Sequence, residues 1–446
     1  MYRKTALIFL FIISGCLFAQ PRNLNLDEAI KIALQKNTQL QKSSEAIKSY
    51  ESTVKTSYGA LLPSVGASAG WNWNRVDGEG GVTIRDGQLV NIPSTQDSRS
   101  YNVGAGTNWT LFDGLSSYAN IAKSKNDLES ARLSLQRLKQ DIVFAVTSRY
   151  FAILGAKQLL SVRDDDLAWN KKNLETIIER NRLGAVTLAD VYAQQVRVGN
   201  SEIALLQTQN DLDTKKSDLL NYLGLDVLEE VGFNDPVEES IKNDTTFNES
   251  FRELSTLVDE AINNRDDIKS YRLRIKSADE SIRMAYGEYM PSLSNSMSFS
   301  TQGNKPGELF DTKIYSVGLS LSVPIFSGWS TDNRLQMAKV EKKTREIELT
   351  ELERETKINL KTTYLNLLTA QKSLEVSTQN VRSAQQNRQI EQEKYNLGAG
   401  TLVNLLLASS EYTSALQNDI ISRFNYETLK SQLEYYLGVL DFKKFE

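Results

Sequence analysis

The chemistry open to a protein is bounded by its side chains, and this 446-residue sequence has no His and a single Cys, Cys16. Imidazole general bases, Ser/His/Asp and Cys/His nucleophilic sites and most zinc or transition-metal sites are thereby excluded. Carboxylate or Lys chemistry survives. However, the 56 Asp and Glu and 52 Lys and Arg are spread along helical stretches, as solvated faces are, and are not gathered for a pocket. The sequence therefore reads as a non-enzyme with no cofactor and no metal. A net charge of -4 gives no overall electrostatic reason to bind nucleic acid. The polar positions that stand out flank two glycine-marked turns, Arg180-x-x-x-Gly184-x-x-Thr187-x-x-Asp190 and Tyr395-x-x-Gly398-x-x-Thr401. Gly184 and Gly398 suit the positive φ of a tight helix turn, and Asp190 falls where a helix start favours a carboxylate.

The first element to set aside is a leader. Arg3 and Lys4 precede an apolar run from Ala6 to Ile13, the layout of a secretory signal and too short to span a bilayer. Cleavage after Ala19 competes with a lipobox reading of Ile13-Ser14-Gly15-Cys16, which would leave Cys16 lipidated. Cleavage after Ala19 is preferred, because Leu17, Phe18 and Ala19 prolong the apolar stretch, and it takes the net charge from -4 to -6.

The rest is a duplication. Tyr101-Asn102-Val103-Gly104 matches Tyr315-Ser316-Val317-Gly318 at an offset of 214, and so do Tyr150 with Tyr364, Leu183-Gly184-Ala185 with Leu397-Gly398-Ala399, and Tyr222-Leu223-Gly224 with Tyr436-Leu437-Gly438. Units of this length are halves of one architecture rather than solenoid repeats. The expected division is a signal peptide over 1–19, a first repeat over 20–224, a linking segment over 225–256 and a second repeat over 257–446.

Each half holds two alternating runs. Val65, Ala67, Ala69, Trp71 and Trp73 alternate with Ser, Gly and Asn, and Tyr101 to Leu111 does the same. Leu293 to Phe299 and Tyr315 to Val323 repeat the pattern in the second half. Four strands of about ten residues are predicted, long enough to cross a bilayer when tilted. Arg75 to Arg99 and Thr301 to Lys313 read as their connecting loops. Between strands and turns run very long helices. Leu115 to Arg182 holds no Pro and only Gly155, and Trp329 to Asn396 holds neither Gly nor Pro. Val146, Ile153, Leu160, Leu167 and Leu174 recur every seven residues, the seam of a coiled coil. The fold class is thus mainly α with a transmembrane β part.

Four strands cannot cross a membrane alone, because both sheet edges would face lipid with unpaired backbone groups. Closed barrels start at about eight strands, so several chains must share one, and three copies supply twelve. A periplasmic or surface coiled-coil scaffold with an ordinary small sheet is the competing reading.

Together with the Leu-Pro-Ser at Leu62 to Ser64, the Met-Pro-Ser at Met290 to Ser292 and the two tips, this order of elements resembles the TolC-like outer membrane efflux proteins. The resemblance spans essentially the whole mature chain. It implies a homotrimer in outer membrane lipid, with long hairpins forming an α-barrel in the periplasm. It also implies docking onto a periplasmic adaptor and an inner-membrane transporter of the RND, ABC or MFS type, for efflux or type I secretion. By the same resemblance, Arg180, Gly184, Thr187, Asp190, Gly398 and Thr401 belong to the tips that meet the adaptor, and Asp190 and Tyr395 form a polar link that holds neighbouring hairpins shut. Where cation-selective members carry two Asp one helical turn apart, this sequence has Asn404 and Leu407. Weaker cation block at the entrance is therefore expected.

Overall fold

The computed structural model describes residues 22–92, 94–234 and 253–445. The leader with Cys16, and 235–252 of the linking segment, lie outside the described residues. In chain order the elements are β1 (Arg22–Leu24), α1 (Leu26–Lys36), α2 (Thr38–Gly59), β2 (Ser64–Asp77), β3 (Gly81–Arg85), β4 (Gln88–Ile92), β5 (Thr95–Asp113), α3 (Ser116–Arg182), α4 (Leu188–Leu223) and β6 (Val231–Phe233). They continue with α5 (Leu254–Asn264), α6 (Asp266–Gly287), β7 (Ser292–Gly303), β8 (Lys313–Ser322), α7 (Ser330–Asn396) and α8 (Leu402–Leu437). Helices α3 and α7 are both 67 residues long and α4 and α8 both 36, with every boundary recurring at the 214-residue offset.

The chain divides into two compact units. One comprises 42–137 and 265–356, the other 1–41, 138–264 and 357–446. The first unit carries a four-stranded antiparallel sheet in the order β2-β5-β7-β8. Its strands are 14, 19, 12 and 10 residues long, so three of the four exceed the expected ten. Pairing decides their length. Asp77 still pairs with Thr95, well inside the stretch read as loop, and Tyr101 pairs with Gly303. The same stretch corrects a second expectation, because β3 and β4 form a hairpin of their own. Asp86 and Gly87 close it with φ of 52° and 79°, a turn that suits a two-residue hairpin.

The apolar face of the sheet finds no cover among the described residues. Val65 is 79% exposed, Trp71 63%, Val317 75% and Leu319 66%. A soluble sheet of this kind would bury that face against its own helices. Cross-strand contacts are nevertheless formed, as between the rings of Phe299 and Tyr315 at 5.1 Å.

Below the sheet, the same unit holds a charge cluster. Arg265 grips Asp267 with both nitrogens, at 3.0 and 2.5 Å, and Arg137 lies 3.8 Å from the same carboxylate. Burial alone would push the Asp267 carboxyl up. The hydrogen bonds and charge of Arg265, together with Arg137, outweigh it and hold the group below its ordinary value.

The second unit packs α1 and the lower parts of the long helices around Leu24, Tyr150, Ile153, Leu154, Leu219 and Leu223. Helix α1 starts with a capping box between Asn25 and Glu28 and buries Ala29, Ile30, Ile32 and Ala33. Strands β1 and β6 pair in parallel, and Tyr150 Oη lies 3.0 Å from the Leu24 carbonyl and 2.6 Å from that of Asn234. A further cluster joins Leu257 and Ala261 to Leu360, Leu367, Leu433 and Leu437. Gly155 has a packing reason, because a Cβ there would meet the Phe424 ring at 3.2 Å. The seven-residue seam is only partly apolar. Val146, Ile153 and Leu167 are buried and Leu160 and Leu174 half-buried, while Asn170 and Asn173 are buried among them.

Two expected outcomes follow from these contacts. Tyr150→Phe removes the hydroxyl placed between the Leu24 and Asn234 carbonyls and costs about 1–3 kcal/mol, read as a lower midpoint in thermal unfolding of the detergent-solubilised protein. Asp267→Asn removes the carboxylate that Arg265 and Arg137 share and costs roughly 3–5 kcal/mol at neutral pH. Because the folded Asp267 pKa lies below the unfolded one, the wild-type advantage is present above about pH 4 and vanishes as pH falls through the folded value. Melting temperatures of the two proteins should converge in acid, and a constant gap between them down to pH 2 would contradict the ion-pair account.

Candidate functional site

The two hairpin tips are built alike. Gly184 takes φ of 75° and Gly398 of 72°. In the first tip the Gly184 N–H donates to Asn181 O at 2.9 Å and the Ala185 N–H to Arg180 O at 2.8 Å. In the second, Gly398 donates to Tyr395 O at 3.2 Å and Ala399 to Lys394 O at 2.8 Å. This is the paired Schellman closure, which satisfies the last carbonyls of α3 and α7 and requires the left-handed residue. Asn181 Nδ2 adds a bond to Val186 O at 2.8 Å.

The returning helices start on Thr187 and Thr401. The Thr187 hydroxyl accepts from the Asp190 N–H at 3.3 Å, while Asp190 Oδ2 accepts from the Thr187 N–H at 2.9 Å and its hydroxyl at 2.7 Å. At the second tip Thr401 accepts from the Asn404 N–H at 3.2 Å, and no reciprocal bond is formed. Asn404 thus occupies the position of Asp190, where an amide replaces the carboxylate that would close the box and favour the helix dipole.

The tips of the two hairpins meet through Arg180 and Tyr395. The guanidinium lies 4.4 Å from the centre of the Tyr395 ring and donates to the Tyr395 carbonyl at 3.2 Å. Tyr395 is buried, and its hydroxyl has no hydrogen-bond partner among the described residues. The structure therefore brings Arg180 to Tyr395, Thr187 to Asp190 and Thr401 to Asn404. It does not join Asp190 to Tyr395 within the single chain, and Asn404 bonds only to Thr401 among the candidates. Asn404 and Leu407 are both exposed, Leu407 at 59%.

Two features of this end escape the motif reading. Leu183, Leu188, Leu397 and Val403 expose apolar side chains around the tips, a surface in need of cover. The duplicated Leu-Gly-Ala of both turns is the signal that could have marked it. Further along the hairpins, Asp166 accepts from Ser201 at 2.8 Å, Thr413 at 3.0 Å and Asn170 at 3.1 Å. In the second hairpin Asp419 accepts from Ser377 at 3.0 Å, Thr378 at 2.8 Å and Arg423 at 3.1 Å. Such polar nodes are visible in sequence only as interruptions of the apolar seam. Among the described residues no cluster of His, Cys, Asp or Glu is arranged to hold a metal.

The described residues combine paired helical hairpins with capped tips and a four-stranded sheet whose apolar face is exposed. No described helix is long and apolar enough to cross a membrane. The family model described as Outer membrane efflux protein matches residues 29–225 and 257–439, and the chain belongs to that family. It is 24% identical over 403 residues to Protein CyaE of Bordetella pertussis, covering 90% of this chain and 81% of that one. It is 22% identical over 426 residues to Outer membrane protein TolC of Salmonella enteritidis, covering 94% and 82%. Among solved structures it shares the fold of the Campylobacter jejuni CmeC outer membrane channel, with a TM-score of 0.78 at 14% identity over 94% of this chain and 86% of that one. The chain is an outer membrane channel protein of the efflux and secretion class.

The capping asymmetry is testable. Asp190→Ala removes the reciprocal half of the first cap, worth about 1 kcal/mol, and should speed amide exchange in the first turn of α4 while leaving the first turn of α8 unchanged. Equal exchange in wild type and variant would contradict it.

Proposed function

We propose that three copies of this chain form one duct through the outer membrane and the periplasm. The observation that carries the reading is the sheet, with four strands, two unpaired edges and an uncovered apolar face. The order β2-β5-β7-β8 is antiparallel throughout, so β2 and β8 run in opposite directions. The β8 edge of one copy then pairs antiparallel with the β2 edge of the next, and three copies close a barrel of twelve strands with no edge left in lipid. Each repeat, 20–224 and 257–446, contributes two strands and one hairpin, and the hairpins line the periplasmic conduit.

The duct receives its cargo from an inner-membrane transporter of the RND, ABC or MFS type through a periplasmic adaptor. The exposed leucines and the turns at Gly184 and Gly398, with Arg180, Thr187 and Thr401, are the docking end for that adaptor. Tyr395, held under Arg180, and Asp190, with Oδ1 outside its own cap, are the two halves of a link that holds neighbouring hairpins shut. Asn404 and Leu407 form the constriction, which lacks the paired negative charge that would trap cations there. Cargo is a small compound or a secreted polypeptide.

Membranes extracted with mild detergent should yield a trimer in unheated electrophoresis that collapses to a chain of roughly 50 kDa on boiling. A monomer under every condition, or release without detergent, would overturn the duct. In planar bilayers a multivalent cation should block weakly, and Asn404→Asp with Leu407→Asp should tighten that block by an order of magnitude or more. Tight block of the wild type at low cation concentration would remove these two residues from the constriction.

A further inference from the structure

Several cations in the sheet-bearing unit are matched to carboxylates. Lys123 pairs with Asp127 at 2.8 Å, Arg283 with Glu280 at 2.9 Å, Arg334 with Glu288 at 2.5 Å and Lys342 with Asp279 at 2.8 Å. Lys125 and Lys339, like Lys55 and Lys276, are not. Neither has a carboxylate partner among the described residues, and each instead sits over a tyrosine ring. Lys125 Nζ is 5.1 Å from the centre of Tyr58, and Lys339 Nζ is 5.8 Å from that of Tyr286. The two pairs are copies of one another. Lys125 and Lys339 are separated by the 214-residue offset, each the tenth residue of its long helix, and Tyr58 and Tyr286 are each the penultimate residue of the short helix that leads into a strand. One structural solution has thus been kept in both halves, although neither lysine contributes an ion pair to the fold.

Its position says what it meets. Tyr58 precedes β2 and Tyr286 precedes β7 by a few residues, so both rings lie at the helix-bearing rim of the sheet. That rim is marked by further exposed aromatics, Tyr118, Tyr289, Phe326 and Trp329. Tyrosine and tryptophan gather where hydrocarbon gives way to headgroups. A lysine beside such a ring lays its stem along apolar surface and presents its ammonium at the level of the phosphates. A ring face engages an exposed ammonium only weakly, and the group retains donors for an anion. The helices attach at this end, and in the proposed duct they lie in the periplasm. The rim therefore faces the inner leaflet.

We propose that Lys125 over Tyr58 and Lys339 over Tyr286 are two equivalent sites for the phosphate of a glycerophospholipid headgroup in the inner leaflet of the outer membrane. Three copies place six of them around the barrel, where they fix the depth and tilt of the sheet. The inference rests on the reading that this sheet spans the outer membrane.

The test titrates phosphatidylglycerol into the detergent-purified full chain and counts bound lipids by native mass spectrometry. Four proteins are compared: wild type, the double variant Lys125→Gln/Lys339→Gln, the double variant Lys125→Arg/Lys339→Arg, and Lys172→Gln as an exposed control elsewhere on α3. The Gln pair should lose roughly five-fold in affinity per lysine, with its melting temperature unchanged because both side chains are exposed. The Arg pair and Lys172→Gln should bind as wild type does. Equal binding by the Gln pair, an equal loss in Lys172→Gln, displacement of the lipid by millimolar inorganic phosphate, or stronger uptake of lipid A phosphates would each overturn the proposal. If the wild type takes up no phospholipid and leaves cells without detergent, the membrane placement itself falls, a failure recognisable because it spares no variant.

Discussion

An antiparallel sheet with two free edges cannot sit in hydrocarbon, because every unpaired N–H and C=O there costs several kcal/mol. That single constraint organises the rest of the chain. Each half of the duplication supplies a pair of adjacent strands in chain order, β2 with β5 and β7 with β8, and β5 pairs with β7 across the halves. The even number leaves one edge pointing each way, so that copies can join without a parallel seam. The exposed apolar face belongs to the same solution, since a face covered by the chain's own helices would have no lipid to meet. In the proposed trimer, strands that would be unstable alone are completed by other copies and by the bilayer.

The helices face a different problem. A seam of Leu, Ile and Val repeated every seven residues holds two helices together but gives little to distinguish one register from the next. The half-buried Asp166 and the buried Asp419 answer that. Asp166 collects donors from α3, α4 and α8, and Asp419 collects them from α7 and its own helix. Sliding either hairpin by a heptad would strand a carboxylate in the seam, at a cost far above that of a displaced leucine. The nodes are not images of one another, since the 214-residue offset places Asn380 opposite Asp166 and Leu205 opposite Asp419. The halves share helix lengths and turns, yet each is pinned at its own height.

This contrast explains what the sequence could and could not reveal. The period of two in Val65 to Trp73 and the Pro-free runs of α3 and α7 are local signals, and the helix ends fall within a residue or two of the composition breaks. Strand length is not local. Asp77 is a strand residue because Thr95 lies opposite it, and the polar Arg75 to Arg99 stretch hides this pairing. The Asp86-Gly87 turn between Val82, Ile84, Leu89 and Val90 was readable as a hairpin, but its apolar content is too slight to stand out among loop residues. At the tips, glycine and threonine announce the turns. The stacking of Arg180 on Tyr395 joins residues 215 apart and leaves no trace in either motif.

The tips also show how one residue serves a local and a distant purpose. Asp190 Oδ2 takes both bonds from Thr187, and Oδ1 takes none from the cap. Tyr395 presents the complement, a buried hydroxyl with no acceptor, which costs about 1–3 kcal/mol for as long as it stays unsatisfied. A free acceptor on one hairpin and a stranded donor on another are what a weak, breakable link requires. The Asp190 cap is independent of the proposed link, so on that reading opening would cost one hydrogen bond and spare the start of α4. At the second tip Asn404 gives up the reciprocal cap and carries no charge, which leaves Asp190 as the carboxylate among the entrance candidates. In the proposed entrance the Asp190 carboxylate is held in place by the bonds of its own helix start, so a change in the link alters access to that group.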